Sequence, residues 1–481
     1  MQEKFLKFHK IKNQLASAAD VVVRELIVAK NTLKIMYIDD MIDSNLLAKS
    51  IVSPLLSSKK VEASLHFLQD KVLTDGGCEL LTDNDQIIHK LLSGFVLLFM
   101  ADDINVLCVA CQGYERRSIT EPPTSAVLRG PREGFIEDAV VNISLIRRRV
   151  KSKNLAIKQL QVGKQSSTLV SLIYLSNIAD DKVVHAVQKK IEGINIDGLV
   201  DSFFIQSFLE DADNKFFKQV GNSEKPDVIA AKIFEGRVAI VVDGSPIVLT
   251  VPYILFEDFQ SADDYYAHPY RATFARFIRI LGMLLAIMLP GIYVAMQSYH
   301  YSLFPSTFLI SLLNSIETLS FPPLLEILFV LFLFEILSEA SIRMPKYLGM
   351  ALSIVGALIL GDTAVKAGLI SSPSVMMVAI SSICLYTVPD QVPTASLLRV
   401  IFTMLGGVAG FFGIMLSVLC ILACLVSMDS FGSPYLAPYA PFVPKDLKDA
   451  LVKHDLKDMT TRPDSIPNKN RVRIKYDCKN K

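Results

Sequence analysis

The residues of this 481-residue chain with the clearest chemical potential are carboxylates set inside apolar sequence. Glu335 and Glu339 stand four apart at the end of one apolar run, and Asp362 follows the next. A charge in such surroundings is costly unless it is paired or wet, and rings of carboxylates favour cations. Glu335, Glu339 and Asp362 are therefore candidates for a pore or ion path. The competing reading is structural. Glu339 has Arg343 one turn on, Asp362 has Lys366 at the same spacing, and Glu326 can snorkel near the end of its segment.

Little else points to chemistry. The chain shows no nucleophile–base pair, Gly-rich phosphate loop or metal-ligand spacing, so no enzyme and no cofactor is expected. Cys108 and Cys111 form a lone CxxC, and Cys108 sits in an alternating apolar run, where packing is the better reading. Cys420 and Cys424 share one face of an apolar helix. The seven cysteines form no disulfide framework and suit a reducing compartment. A net charge of +1 gives no bulk attraction to nucleic acid. The first ten residues carry no apolar signal core.

The acids belong to a half of the chain built differently from the rest. Mean hydropathy is +0.39 overall, but from Ile280 to Val426 one apolar block follows another. Spans are expected at about 280–296, 324–338, 347–360, 375–388 and 397–426, with 304–318 too short to cross comfortably. Arg271, Arg276 and Arg279 precede the first span, and the loop after it has no Lys or Arg, which places the N-terminal half in the cytoplasm. Five crossings would leave the lysine-rich tail outside, against the same rule; an even number would remove the conflict. Short segments are tolerated when buried in protein or lining a wet cavity, which favours an oligomer or a pore over a lipid-exposed monomer.

The N-terminal half contains an internal repeat. Residues 24–55 and 158–191 each read as strand, turn, strand, acidic cap and amphipathic helix, with Asp43 and Asp180 at the caps. The hairpins at 93–111 and 235–253 continue the echo. Between the copies lies a segment rich in Pro, Gly and charge. Glu121, Pro122 and Pro123 break any helix, and Arg129-Gly130-Pro131-Arg132 offers donors to an anion, although alone it reads as a rigid linker. A helix over Phe135–Val150 then ends in Arg147, Arg148 and Arg149, a favourable place for cations.

Together these motifs resemble the A subunits of spore germinant receptors, the GerA family. The resemblance runs from about Val22 to Phe442. It is carried by Ser118-Ile119-Thr120-Glu121-Pro122, by Leu128–Asp138, which includes Arg129, Gly130, Pro131, Glu137 and Asp138, and by Asn142 and Leu145–Arg149. Asp243-Gly244-Ser245-Pro246, Asp263–Tyr266, Phe321-Pro322-Pro323, Gly361–Val365 and Phe431–Tyr435 extend it. One departure is Ser338, where the family often has a basic residue before the glutamate.

The expected fold class is an α+β multidomain membrane protein, a duplicated α/β N-terminal half followed by a helical transmembrane bundle. Its expected parts are an α/β subdomain at 1–112, a connector at 113–133, a second subdomain at 134–265, about five spans within 270–430, and a polar tail at 431–481. The resemblance implies an integral protein of the inner spore membrane, acting with a transporter-like B subunit and a lipoprotein C subunit as an oligomeric, channel-like component. It implies a structural or coupling role for Glu121, Pro122, Arg129, Gly130, Pro131, Glu137, Asp138, Arg147 and Arg148. The stage V AF protein, an accessory channel, is a near rival, and the Phe431–Tyr435 run leans toward the receptor subunit. The same features also fit a transporter of the germinant or a scaffold without conductance.

Overall fold

The computed structural model describes residues 5–15, 18–28, 31–58, 64–73, 77–101, 103–111, 129–211, 216–316, 321–343, 356, 358 and 363–473. Its N-terminal half contains two five-stranded antiparallel sheets. The first is built from β1 (Val21–Val28), β2 (Asn31–Ile38), β3 (Cys78–Leu81), β4 (Phe95–Met100) and β5 (Val106–Ala110), in the order β1-β2-β4-β5-β3. The second uses β6 (Leu155–Val162), β7 (Thr168–Leu175), β8 (Gly221–Ser223), β9 (Val238–Val242) and β10 (Val248–Val251), in the order β6-β7-β9-β10-β8. The two orders are identical once the numbering is offset, so the sequence repeat corresponds to two copies of one topology.

Both faces of each sheet are covered, which is why the central strands are almost continuously apolar. In the first sheet Leu33, Ile35 and Leu98 pack on Leu47, Ile51 and Leu68, while Met36, Leu97 and Phe99 pack on Phe8, Ile11, Ile88 and Leu91. In the second, Val170, Leu172 and Ile240 meet Val183, Val187 and Ile205, while Ile173 and Val241 meet Ile143, Ile146 and Ile233. The acidic caps act as such. Asp43 accepts from the Asn45 and Leu46 amides, and Asp180 from that of Lys182.

Two helices among the described residues are long and apolar enough to cross a membrane, over 269–299 and 389–427. Pro323–Arg343 and Ser372–Leu385 pack beside them, and Leu312 of the short Ser306–Ile316 helix joins Tyr293 and Ile327 in one apolar cluster. The helix Val392–Ser427 is not straight. Thirty-six residues would run about 54 Å end to end, yet Gln391 and Ser430, at its two ends, both bond Tyr253. Leu398 and Leu425 also share one cluster with Tyr253 and Tyr435. The helix therefore reverses, and the reversal is at Gly410, whose φ of 60° and ψ of −145° suit glycine alone. The stretch Leu397–Val426, which reads in sequence as a single long span, is a helical hairpin. Its tip lies at the far end of the Pro269–Tyr299 helix, where the Tyr299 hydroxyl donates to the carbonyls of Gly407 and Val408. Lower down, Gly406 and Gly291 bring two backbones together, and a Cβ added at Gly406 would lie 2.6 Å from the Gly291 carbonyl oxygen.

The tail is not a free polar extension. Lys469 donates through its amide to the Ile178 carbonyl and through its ammonium to Asp181, while Arg462 donates to the Phe234 carbonyl. Residues 429–473 thus lie along the second sheet unit.

Candidate functional site

The densest set of buried charges sits where the second sheet unit meets the apolar helices. Ser261 and Asp264 form a capping box on the turn after β10, which fixes the Asp264 carboxylate. Pro269 starts the first long helix, and its second and third turns carry Arg276 and Arg279 back to that carboxylate. Arg276 donates to Asp264 at 3.2 Å, to Asp449 Oδ1 at 3.0 Å, and to the carbonyls of Asp449 and Ala450 at 2.8 and 2.7 Å. Arg279 makes a two-pronged contact with Asp264 at 2.8 and 3.0 Å. Lys453 donates to the Asp264 carbonyl, and the Tyr265 hydroxyl to Asp449 at 2.9 Å. Burial alone would raise the Asp264 carboxyl; its bonds to Arg279, the Ser261 amide and Arg276 outweigh this and hold it below the usual range. One joint therefore ties the sheet unit, the first long helix and the tail.

A second joint holds both ends of the hairpin. Asp258 accepts from the Tyr253 hydroxyl at 2.7 Å and from the Gln391 amide at 2.7 Å, and Lys218 lies 3.6 Å away. Lys218 also faces Asp390 at 3.7 Å. Burial pushes the Asp258 carboxyl up against the opposing pull of Lys218, and Asp390 adds to the rise. On the returning arm, Ser430 donates to the Gln219 carbonyl at 2.9 Å, and Tyr435 to that of Lys218 at 2.8 Å. Between the arms Phe217, Leu398, Leu425, Met428 and Tyr435 form an apolar plug. A third ion cluster, inside the unit, places Glu257 between Arg237 and Lys232, the latter at 2.8 Å. Burial would raise this carboxyl, but the two cations bring it down to about 2.

The motif residues of the connector region fall partly outside the described residues, as Glu121 and Pro122 do. The Arg129 amide donates to Asp263 at 3.3 Å, and Gly130 gives room to the Tyr266 ring, so these two motifs meet in space. Pro131 follows in the same segment. The Glu137 carbonyl accepts from the Gly244 amide, Asp243 accepts from that of Ala139, and Asp138 caps the Ala139–Arg149 helix. Arg147 reaches the first unit, pairing with Asp20 at 2.7 Å with both side chains about 1% exposed. Arg148 and Arg149 turn to Glu133, at 3.8 and 2.6 Å. Cys108 and Cys111 are buried, and burial pushes the Cys108 thiol up to about 12, the behaviour of a packing residue. Among the described residues no group of His, Cys, Asp or Glu is placed to hold a metal ion.

The acids of the apolar half have distinct surroundings. Glu335 is held by Arg399 at 3.1 Å and by the Ser396 hydroxyl, yet about half of its side chain remains exposed. Arg399 is 2% exposed and also donates to Ser382 at 3.0 Å. It is the residue that reading the sequence missed, and an arginine inside an apolar run was the available signal. Glu339 pairs with Arg343 at 2.6 Å in the open, one turn apart. Asp362 lies outside the described residues. Glu326 is buried and accepts from the Ser371 amide at 2.6 Å. The structure thus brings Glu335 to Arg399 and leaves Glu339 in a separate local pair.

Comparison with known proteins gives a consistent set of relatives. Residues 9–465 match the family described as Bacillus/Clostridium GerA spore germination protein. Spore germination protein KA of Bacillus subtilis (strain 168) is 35% identical over 96% of this chain and 86% of its own length. Spore germination protein GerQA of Bacillus cereus is 31% identical over 96% of this chain and 92% of its own length. The solved N-terminal domain of the A subunit of the Bacillus megaterium spore germinant receptor GerK3 aligns with 52% of this chain and 94% of that one, at 25% identity and a TM-score of 0.40.

Proposed function

The chain belongs to the GerA family of spore germination proteins, and from that premise we propose that it is the A subunit of a germinant receptor in the inner spore membrane. In this reading it forms an oligomeric, channel-like component that couples germinant sensing to ion release. It works with a transporter-like B subunit and a lipoprotein C subunit, and its sheet units lie on the cytoplasmic, core-facing side.

The observation that carries the reading is the pair of joints on the second sheet unit. One body grips the start of the first long helix, both ends of the hairpin and the tail. A change in its position is transmitted to three helix ends at once. A ligand can exploit this only by favouring one of two pre-existing packings. The same contacts support an even number of crossings with the tail on the side of the sheets, which agrees with the lysines of the tail. Glu335 and Glu339 keep exposed side chains on a helix that also exposes Phe332 and Ile336. Charge on such a face calls for water or a neighbouring subunit, which supports an assembled, wet path beside them. Asp362 stays with them as a proposed path residue.

Ion flux through the purified protein in liposomes, alone and with its partners, tests the proposal. Cation flux that is gated by germinant when the partners are present, and that loses cation preference in Glu335→Gln and Glu339→Gln, is the expected result. Saturable germinant binding by this chain alone, with no flux in any combination, would overturn it in favour of a transporter-like or scaffold role.

A further inference from the structure

The Ser202–Leu209 helix packs one face into the second sheet unit through Ser202, Ile205, Gln206 and Leu209, all buried. A helix on the surface of a soluble body is expected to turn polar residues outward. Here the outward face carries Phe203, Phe204, Ser207 and Phe208, and its three rings stay 64%, 42% and 45% exposed. Phe216, on the loop before β8, adds a fourth ring at 51%. A contiguous exposed apolar patch marks a surface for a protein or a membrane. The acids at its end are already engaged. Glu210 accepts from the Gln206 side-chain amide at 2.9 Å and from the Gln219 backbone amide at 3.0 Å, and Asp211 pairs with Lys190 at 3.1 Å.

Hydrogen bonds tie this patch to the level at which the hairpin enters the membrane. The arms Val392–Gly410 and Gly410–Ser427 are each about 26 Å long at 1.5 Å per residue. That is no more than the hydrocarbon core they cross, roughly 30 Å, so both arm ends lie at its boundary. Thr394, in the first turn, donates to the Phe216 carbonyl at 3.0 Å. Ser430, just past the returning arm, donates to the Gln219 carbonyl at 2.9 Å. The Gln219 side chain in turn accepts from the Asp211 amide at 3.1 Å, beside the end of the Ser202–Leu209 helix. Phe216 and Phe208 are thereby held at the level of the lipid headgroups. From Phe208 back to Phe203 the helix spans about 7 Å, close to the depth of one headgroup layer, about 5–7 Å. We propose that Phe203, Phe204, Phe208 and Phe216 form a membrane-docking surface that inserts at the headgroup–acyl boundary of the leaflet facing the sheet units. Apolar side chains leave water there, as those of an interfacial helix do. With the neighbouring acids engaged, a zwitterionic bilayer suffices. Docking seats the body that grips the helix ends against the bilayer itself. The inference rests on the reading that the hairpin spans the membrane.

The chain has no Trp, so one substitution creates a sole emitter. Phe208→Trp, Phe216→Trp and, as a reference in the returning arm, Leu419→Trp all change exposed side chains and leave the cores untouched. Each full-length variant is reconstituted alone in phosphatidylcholine liposomes whose lipids carry bromine, a contact quencher of Trp, either near the glycerol end of the acyl chains or further down. Phe208→Trp and Phe216→Trp should lose most of their emission to the shallow bromines and little to aqueous iodide. Leu419→Trp should be quenched best by the deep bromines. If Leu419→Trp behaves so while Phe208→Trp and Phe216→Trp are quenched by iodide and not by lipid, the patch faces water; the docking surface is then wrong and the spanning hairpin stands. If those two are shielded from iodide and lipid alike, a second copy of the chain covers the patch, which also overturns the proposal. If Leu419→Trp is untouched by either lipid, the hairpin does not cross the bilayer, and both readings fall.

Discussion

The two sheet units share a strand order, covered faces and acidic helix caps, yet they are attached to the rest of the chain in different ways. The first is joined to the second through a buried pair, Asp20–Arg147, and through the backbone bond from Ala19 to Ile157. The second carries, on the loop before β8 and the segment after β10, the residues that hold the membrane helices: Lys218, Tyr253, Asp258 and Asp264. The two units share one topology, and the contacts to the apolar helices are made by the loops at one end of one of them. What distinguishes the units is not their cores but which loop ends present charge to a neighbour.

The sharpest way to break the comparison is at the first joint. Arg276→Ala removes a buried cation and leaves Asp449 and two carbonyls short of donors; it should cost about 5 kcal/mol, near the top of the range for breaking a buried pair. Limited proteolysis should then release the tail, while the first unit stays resistant. Arg147→Ala should cost about 4 kcal/mol by stranding Asp20, and should loosen the first unit from the second without disturbing the tail. A double change to Asp20→Asn and Arg147→Met should recover part of that loss, as removing both charges does.

A pH measurement sharpens the contrast. The Glu257 carboxyl is lowered from 4.5 to about 2 in the folded protein, a shift equivalent to about 3 kcal/mol. A depressed pKa stabilises the fold above about pH 4.5, and this contribution is lost as pH falls towards 2. More than half should be gone by pH 3. Melting curves at pH 7 and pH 3 should show a larger acid loss for the native protein than for Glu257→Gln, with the excess confined to the second unit. Among the acids of the membrane half, Glu335→Gln should cost about 2 kcal/mol because Arg399 is buried and loses its charged partner. Glu339→Gln should cost under about 0.5 kcal/mol, since its pair is exposed.

The repeated units were legible in the sequence because turns, caps and alternation are local signals; Asp43, Asp180 and the Asp243-Gly244 turn all mark real boundaries. The hairpin was not. Gly406, Gly407, Gly410 and Gly413 lie in one unbroken apolar run, and hydropathy carries no direction, so only the backbone at Gly410 reveals the reversal. The joints were half legible. Arg276 and Arg279 read correctly as charges beside a span, but their partners Asp264 and Asp449 are 185 residues apart, and no spacing rule links them. The tail read only as polar and rich in lysine, because its docking depends on particular contacts, such as Lys469–Asp181, that composition does not mark. Arg399 was overlooked because the run around it is so apolar.

The central claim is that the sheet units and the tail lie on one side of the membrane and grip the helices from there. Single cysteines at Lys151, Asp455 and Ser302, all exposed, in a background with the seven native cysteines replaced, can be labelled with an impermeant maleimide in vesicles of each orientation. Lys151→Cys and Asp455→Cys should label from the same side and Ser302→Cys from the other. If Asp455→Cys labels together with Ser302→Cys, the number of crossings is odd, and the joint between Arg276, Asp264 and Asp449 does not exist in the membrane.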